Sequence, residues 1–197
     1  MTAATQLEKE IVLRLFKDFT IDYNPSSIAK VIGKTRVGTF KALNSLEKDS
    51  IVTGKNMGKA RFYKINFKDD YAIKNVETLL MEEAKNYIRW KDELNPLFSL
   101  TDIIILFGSI IRNEEKANDV DVLLVFNKKN NDKINRFIKE KNLLLIKKLH
   151  PIKQTKEDLR KNIIKRDKVI INAVKTGIVL HGYEKITELI KNVTGRQ

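Results

Sequence analysis

Residues 103–126, IIILFGSIIRNEEKANDVDVLLVF, constrain this chain more than any other stretch. Two apolar runs of strand length flank a Gly108-Ser109 pair and an Asp119-x-Asp121. Runs that apolar suit strands buried on both faces of a sheet. Side chains alternate faces along a strand, so Asp119 and Asp121 project the same way from the second run. Two carboxylates on one face repel each other unless a cation lies between them. Such a pair suits a hard divalent ion such as Mg²⁺, whose other ligands are waters and substrate phosphates. Gly108 lets the backbone come close to a phosphate, and Ser109 with the first amides of a short following helix can bind it. The stretch therefore predicts a phosphate cradle ten residues ahead of a carboxylate pair.

The flanking sequence continues as alternating strand and helix. Strands are expected over 102–107 and 120–126, and a helix over 131–140 with Ile134, Phe137 and Ile138 on its apolar face. LLLIKKL, 143–149, reads as a further strand that His150-Pro151 breaks. One long helix is expected over 155–175, opened by Thr155 with Asp158 three residues on and closed by Gly177. A short extended segment, 178–181, and a last helix, 183–193, complete a mixed-sheet α/β domain over 96–197. His150 and His181 read as structural histidines.

The first third has another grammar. Leu7, Ile11, Leu15 and Phe19 recur every four residues, the mark of a helix with one apolar face. Asn24-Pro25-Ser26 opens a short second helix that Gly33 ends. Thr35 can cap a third, with Val37, Phe40, Leu43 and Leu46 as its expected buried face. Two β-prone segments, 51–53 and 61–65, bracket the hairpin tip GKNMGKA. In element order and length, residues 1–68 resemble winged helix-turn-helix DNA-binding domains. Eight basic and two acidic residues between 34 and 64 sum to +6, whereas 1–33 sums to zero. The charge thus sits on the helix and wing that such a domain lays on DNA. Lys34, Arg36, Thr39, Lys41, Lys55, Lys59 and Arg61 are the candidate contacts to double-stranded DNA. Residues 69–95 read as one long linker helix, with Ile73, Val76, Leu80, Ala84, Tyr87 and Ile88 on a face that also suits a homodimer contact.

In the second half, Gly108-Ser109, then Arg112-x-Glu114, then Asp119-x-Asp121 resembles the nucleotidyltransferase superfamily in its minimal form, related to DNA polymerase β. The resemblance spans 96 to about 182. It implies that Asp119 and Asp121 hold metal, with Mg²⁺ the expected ion. It also implies that Gly108 and Ser109 contact a nucleoside triphosphate, and that Arg112 lies near the triphosphate or pairs with Glu114. Minimal members often modify a HEPN-type toxin, so a toxin-like partner protein is implied as well. Active members carry a third carboxylate one strand further on. The strand expected there holds Lys147 and Lys148 and no acid.

Composition sets limits. A net charge of +13 favours a polyanionic partner, and the absence of Cys rules out disulfides and thiolate metal sites. No apolar run is long enough for a membrane span, and no signal peptide is evident, which points to the cytoplasm. Three functions fit these residues. One is a DNA-bound enzyme that moves a nucleotide, most plausibly AMP, onto a hydroxyl of a protein or small molecule. The second is a transcriptional regulator whose nucleotidyltransferase-like domain senses nucleotide without catalysis. The third is a pair of interaction modules.

Overall fold

The computed structural model describes residues 4–195, which form an α+β chain that divides after Leu79 into two compact units. Helices α1 (Gln6–Lys17), α2 (Pro25–Ile32) and α3 (Arg36–Lys48) precede the hairpin β1 (Val52–Met57) and β2 (Ala60–Ile65). That order is a winged helix-turn-helix. Each helix begins on a side-chain cap. Thr5 and Glu8 form a capping box on α1, the Asn24 carboxamide accepts from Ser26 and Ser27 with Pro25 at the first position of α2, and Thr35 accepts from Gly38 on α3. Gly33 ends α2 at φ 67°, a left-handed conformation that only glycine adopts without strain. Ile11, Phe16, Ile28, Leu43, Leu46 and Tyr63 form the core of the unit.

The apolar face of α3 differs from expectation. Its buried residues are Thr39, Ala42, Leu43 and Leu46, while Val37 is 64% and Phe40 48% exposed. The 39, 42, 43, 46 spacing is a complete helical stripe, and Val37 and Phe40 fall outside it. Thr39 completes the stripe because its hydroxyl donates to Thr35 O at 2.9 Å, which removes the cost of burying it. The wing strands are also longer than expected, so the turn shrinks to Gly58-Lys59, with Gly58 at φ 60°.

The single linker helix expected over 69–95 is interrupted. It comprises α4 (Asp70–Ala84), a 3₁₀ turn at Lys85–Tyr87, and α5 (Ile88–Leu94). A second 3₁₀ turn, Asn95–Leu97, holds Pro96.

In the second unit, β3 (Ile103–Phe107), β4 (Asp119–Val125), β5 (Lys148–Gln154) and β6 (Ile178–His181) form a mixed sheet in the order β5-β4-β3-β6. β4 is antiparallel to β3 and parallel to β5. All of β3 is buried, as its unbroken apolar run requires. Helix α6 (Asn131–Leu144) provides the crossover from β4 to β5. Trp90, Leu94, Leu106, Val122 and Ile134 are among the residues of this core.

Two expectations fail here. The strand placed at 143–149 lies five residues later: Leu143 and Leu144 end α6, and β5 runs through His150-Pro151. Proline breaks a central strand because it lacks a ladder donor, but β5 is an edge strand, where proline is tolerated. The helix expected over 155–175 is two helices, α7 (Lys156–Ile164) and α8 (Lys168–Thr176). Arg166 turns left-handed between them at φ 55°, and the Asp167 carboxylate accepts from Val169 and Ile170 as the cap of α8. Helix α9 (Tyr183–Thr194) follows β6.

Candidate metal centre and nucleic-acid interface

Alternation along β4 puts Asp119 and Asp121 on one face, both half-buried, with Val120 and Val122 buried on the other. The parallel pairing sets Asp121 beside His150. One ligand atom from each of Asp119, Asp121 and His150 lies within 4.8 Å of the others. His150 Nδ1 is 3.3 Å from Asp121 Oδ1. Two carboxylate oxygens and an imidazole nitrogen are a donor set that suits a divalent metal ion. The third donor is a histidine rather than a carboxylate. In the sequence His150 reads as structural, because the proline after it reads as the end of the strand.

Gly108 closes the other side. It follows β3 at φ 82°, and a Cβ there would lie 2.1 Å from Asp121 Oδ2. The backbone of the phosphate-cradle position therefore packs directly on the carboxylate. Ser109 and its neighbours form a helical turn and not the helix expected: Ser109 O accepts from Arg112 N and Asn113 N, each at 3.0 Å. In Gly108→Ala, the left-handed backbone alone costs about 1–2 kcal/mol. The methyl also displaces the Asp121 carboxylate. The expected result is a lowered melting temperature together with weakened metal binding, read by thermal unfolding and calorimetry on the same sample. Unchanged metal affinity would show that Gly108 does not shape the centre.

The loop between the turn and β4 is held by a residue that sequence reasoning did not assign. Lys147 Nζ donates to the carbonyls of Glu114, Glu115 (3.2 Å) and Ala117 (2.7 Å). Lys148 Nζ donates to Asn142 O and Leu145 O, closing the C-terminal end of α6. Both ammonium groups thus serve main-chain carbonyls. Glu114 pairs with Arg89 at 2.7 Å, not with Arg112, which is exposed. The Tyr87 hydroxyl donates to Ile111 O at 3.3 Å, and burial raises its pKa. His181 stacks on Phe98 with ring centres 4.5 Å apart, and burial lowers its pKa.

In the N-terminal unit, the candidate DNA contacts divide. Arg36, Lys41, Lys55 and Lys59 are exposed, as is Lys48. Lys34 pairs with Glu10 at 3.6 Å. Arg61 pairs with Glu47 at 2.5 Å and lies over the Tyr63 ring, and this hydrogen bond holds the Glu47 carboxyl below its usual pKa. Thr39 is buried and cannot reach DNA. Arg36, Val37, Phe40, Lys59 and Arg61, with the turn at 24–26, line a groove of about 460 Å³ between α3 and the wing.

Residues 92–180 match the family model described as "Polymerase beta, Nucleotidyltransferase". This segment is a nucleotidyltransferase domain of that family, joined to an N-terminal winged helix. No curated protein matches the sequence. Among solved structures, the adhesin competence repressor (AdcR) from Streptococcus pyogenes aligns at 11% identity and a TM-score of 0.38, over 70% of this chain and 79% of that chain. A likeness of that size adds nothing to the assignment of the N-terminal unit, which rests on its own element order. Among the described residues, no helix is long and apolar enough to cross a membrane.

Proposed function

We propose that this protein is a DNA-binding nucleotidyltransferase. Its second unit holds a nucleoside triphosphate and a divalent cation at Asp119, Asp121, Gly108 and Ser109, with Arg112 available to the triphosphate, and transfers the nucleotidyl group, most plausibly AMP, to a hydroxyl. The convergence of Asp119, Asp121 and His150 beside Gly108 carries this reading. A divalent ion there would polarise the phosphoryl oxygens and neutralise charge that develops during transfer. The acceptor oxygen bonds to the α-phosphorus, its proton is lost to a base, and the bond to the β-phosphate breaks to release pyrophosphate. The exposed side chains of Leu143, Leu144 and Ile146, just ahead of β5, support a protein as acceptor. A toxin-like partner belongs to this reading, as does a homodimer.

DNA binding is supported by the five exposed cations Arg36, Lys41, Lys48, Lys55 and Lys59. Val37 and Phe40 stand exposed among them on α3, suited to contact thymine methyl groups in a major groove. A second reading has one specific observation in its favour. Histidine in the third ligand position suits a domain that binds nucleotide without rapid transfer, as in a transcriptional regulator that senses nucleotide.

Incubation with α-labelled ATP, GTP, CTP or UTP and a divalent cation, with cell lysate as acceptor, separates the two. Label transferred by the wild type and not by Asp121→Asn supports the enzyme. Nucleotide binding that changes DNA affinity, with no transfer under any condition, replaces it with the sensor.

A further inference from the structure

We propose that the Asp119–Asp121–His150 centre holds a single first-row divalent ion, Mn²⁺ or Zn²⁺, in preference to Mg²⁺, with His150 as its nitrogen ligand. The inference rests on reading this site as a metal centre for nucleotide chemistry, and it concerns which ion and how many.

Ligand type is the first argument. Mg²⁺ takes oxygen ligands in a tight octahedron and gives up its waters reluctantly. Imidazole suits zinc and the later transition ions, and carboxylates accept Mn²⁺ as readily as Mg²⁺. Replacing a third carboxylate by His150 therefore lowers the attraction for Mg²⁺ more than that for Zn²⁺ or Mn²⁺. Charge is the second argument. Two carboxylates and a neutral imidazole supply −2, which balances one divalent ion, whereas three carboxylates leave charge for a second.

The surroundings agree. Among the described residues, neither Asp119 nor Asp121 makes an ion pair with a lysine or arginine, in a chain that carries 38 of them. Lys148, opposite Asp119 in the parallel register, and Lys147 before it are committed to main-chain carbonyls. His150 has Asp121 as its polar partner, and its side chain is 75% exposed on an edge strand, open to an ion arriving from solvent. Pro151, next along the chain, restricts the backbone that carries it.

Composition makes the test clean. The chain has two histidines and no cysteine, so few other groups compete for a transition ion. Untagged protein is titrated calorimetrically with MnCl₂, ZnCl₂ and MgCl₂, and Co²⁺ absorption reports nitrogen ligation. The wild type is expected to bind Mn²⁺ and Zn²⁺ at least about tenfold more tightly than Mg²⁺, at one ion per chain. His150→Ala is expected to weaken Zn²⁺ by about tenfold or more, the scale seen even for loss of an outer-shell partner. His150→Asp is expected to shift the preference toward Mg²⁺, and His181→Ala to change none of these values. Equal affinity for the three ions, binding of none, or indifference of Zn²⁺ to His150→Ala overturns the proposal. The label-transfer assay is read separately, so a Mg²⁺-selective centre that still transfers label refutes the ion preference and keeps the enzyme.

Discussion

Asp121→Asn is expected to give a folded protein that no longer transfers nucleotide. The substitution keeps side-chain size and removes one of two carboxylates that lie within 4.8 Å of each other and of His150. A metal ion contributes several kcal/mol of charge stabilisation in phosphoryl chemistry, and about 1.4 kcal/mol is tenfold in rate, so the loss should be at least about 100-fold. Stability should barely change. The side chain keeps 25% of its exposure and makes no ion pair with lysine or arginine among the described residues, so the shift should stay within about 0.5 kcal/mol. Removing one of two neighbouring like charges favours the fold if anything. Label transfer and thermal unfolding on one preparation check both halves. Wild-type transfer rates in a folded Asp121→Asn protein would place the chemistry elsewhere.

Salt gives the second large effect. If Arg36, Lys41, Lys48, Lys55 and Lys59 each neutralise one DNA phosphate, the logarithmic salt slope is about −4.5, and affinity falls about 500-fold between roughly 50 and 200 mM salt. Arg36→Ala or Lys55→Ala should each flatten the slope by about one. Lys34→Ala and Arg61→Ala should change it less, because both side chains are already spent on Glu10 and Glu47. Arg61→Ala should instead loosen the wing, since Glu47 also accepts from Gly54 N at 2.9 Å. Fluorescence anisotropy over a salt series on a duplex selected from a random pool measures all of these. A flat response in the wild type removes DNA as the partner.

The sequence and the structure agree where the cause is local. Caps at Asn24, Thr35 and Thr155 were legible because a side chain and a backbone amide three residues on are enough to form them. Errors fall where position in the tertiary structure overrides local preference. Val37 and Phe40 looked like core because they are apolar. The packing of α1 and α2 against α3 buries Thr39 instead. The pause at Arg166-Asp167 was missed because apolar spacing carries across it, though Asp167 was available as a capping signal.

The carboxylate pair shows the division most clearly. Asp119 and Asp121 share a face because strand alternation is a property of two residues, so the sequence alone determined it. Gly108 was likewise marked by its chemistry, although only the folded chain reveals that its missing Cβ is the space taken by Asp121. His150 was decided by tertiary structure. Its place depends on β5 lying at the edge of the sheet, where Pro151 is tolerated, and on the parallel register that puts residue 150 opposite residue 121. Register and edge position are properties of the whole sheet, set by packing across α6 and β4, and no short window of sequence contains them.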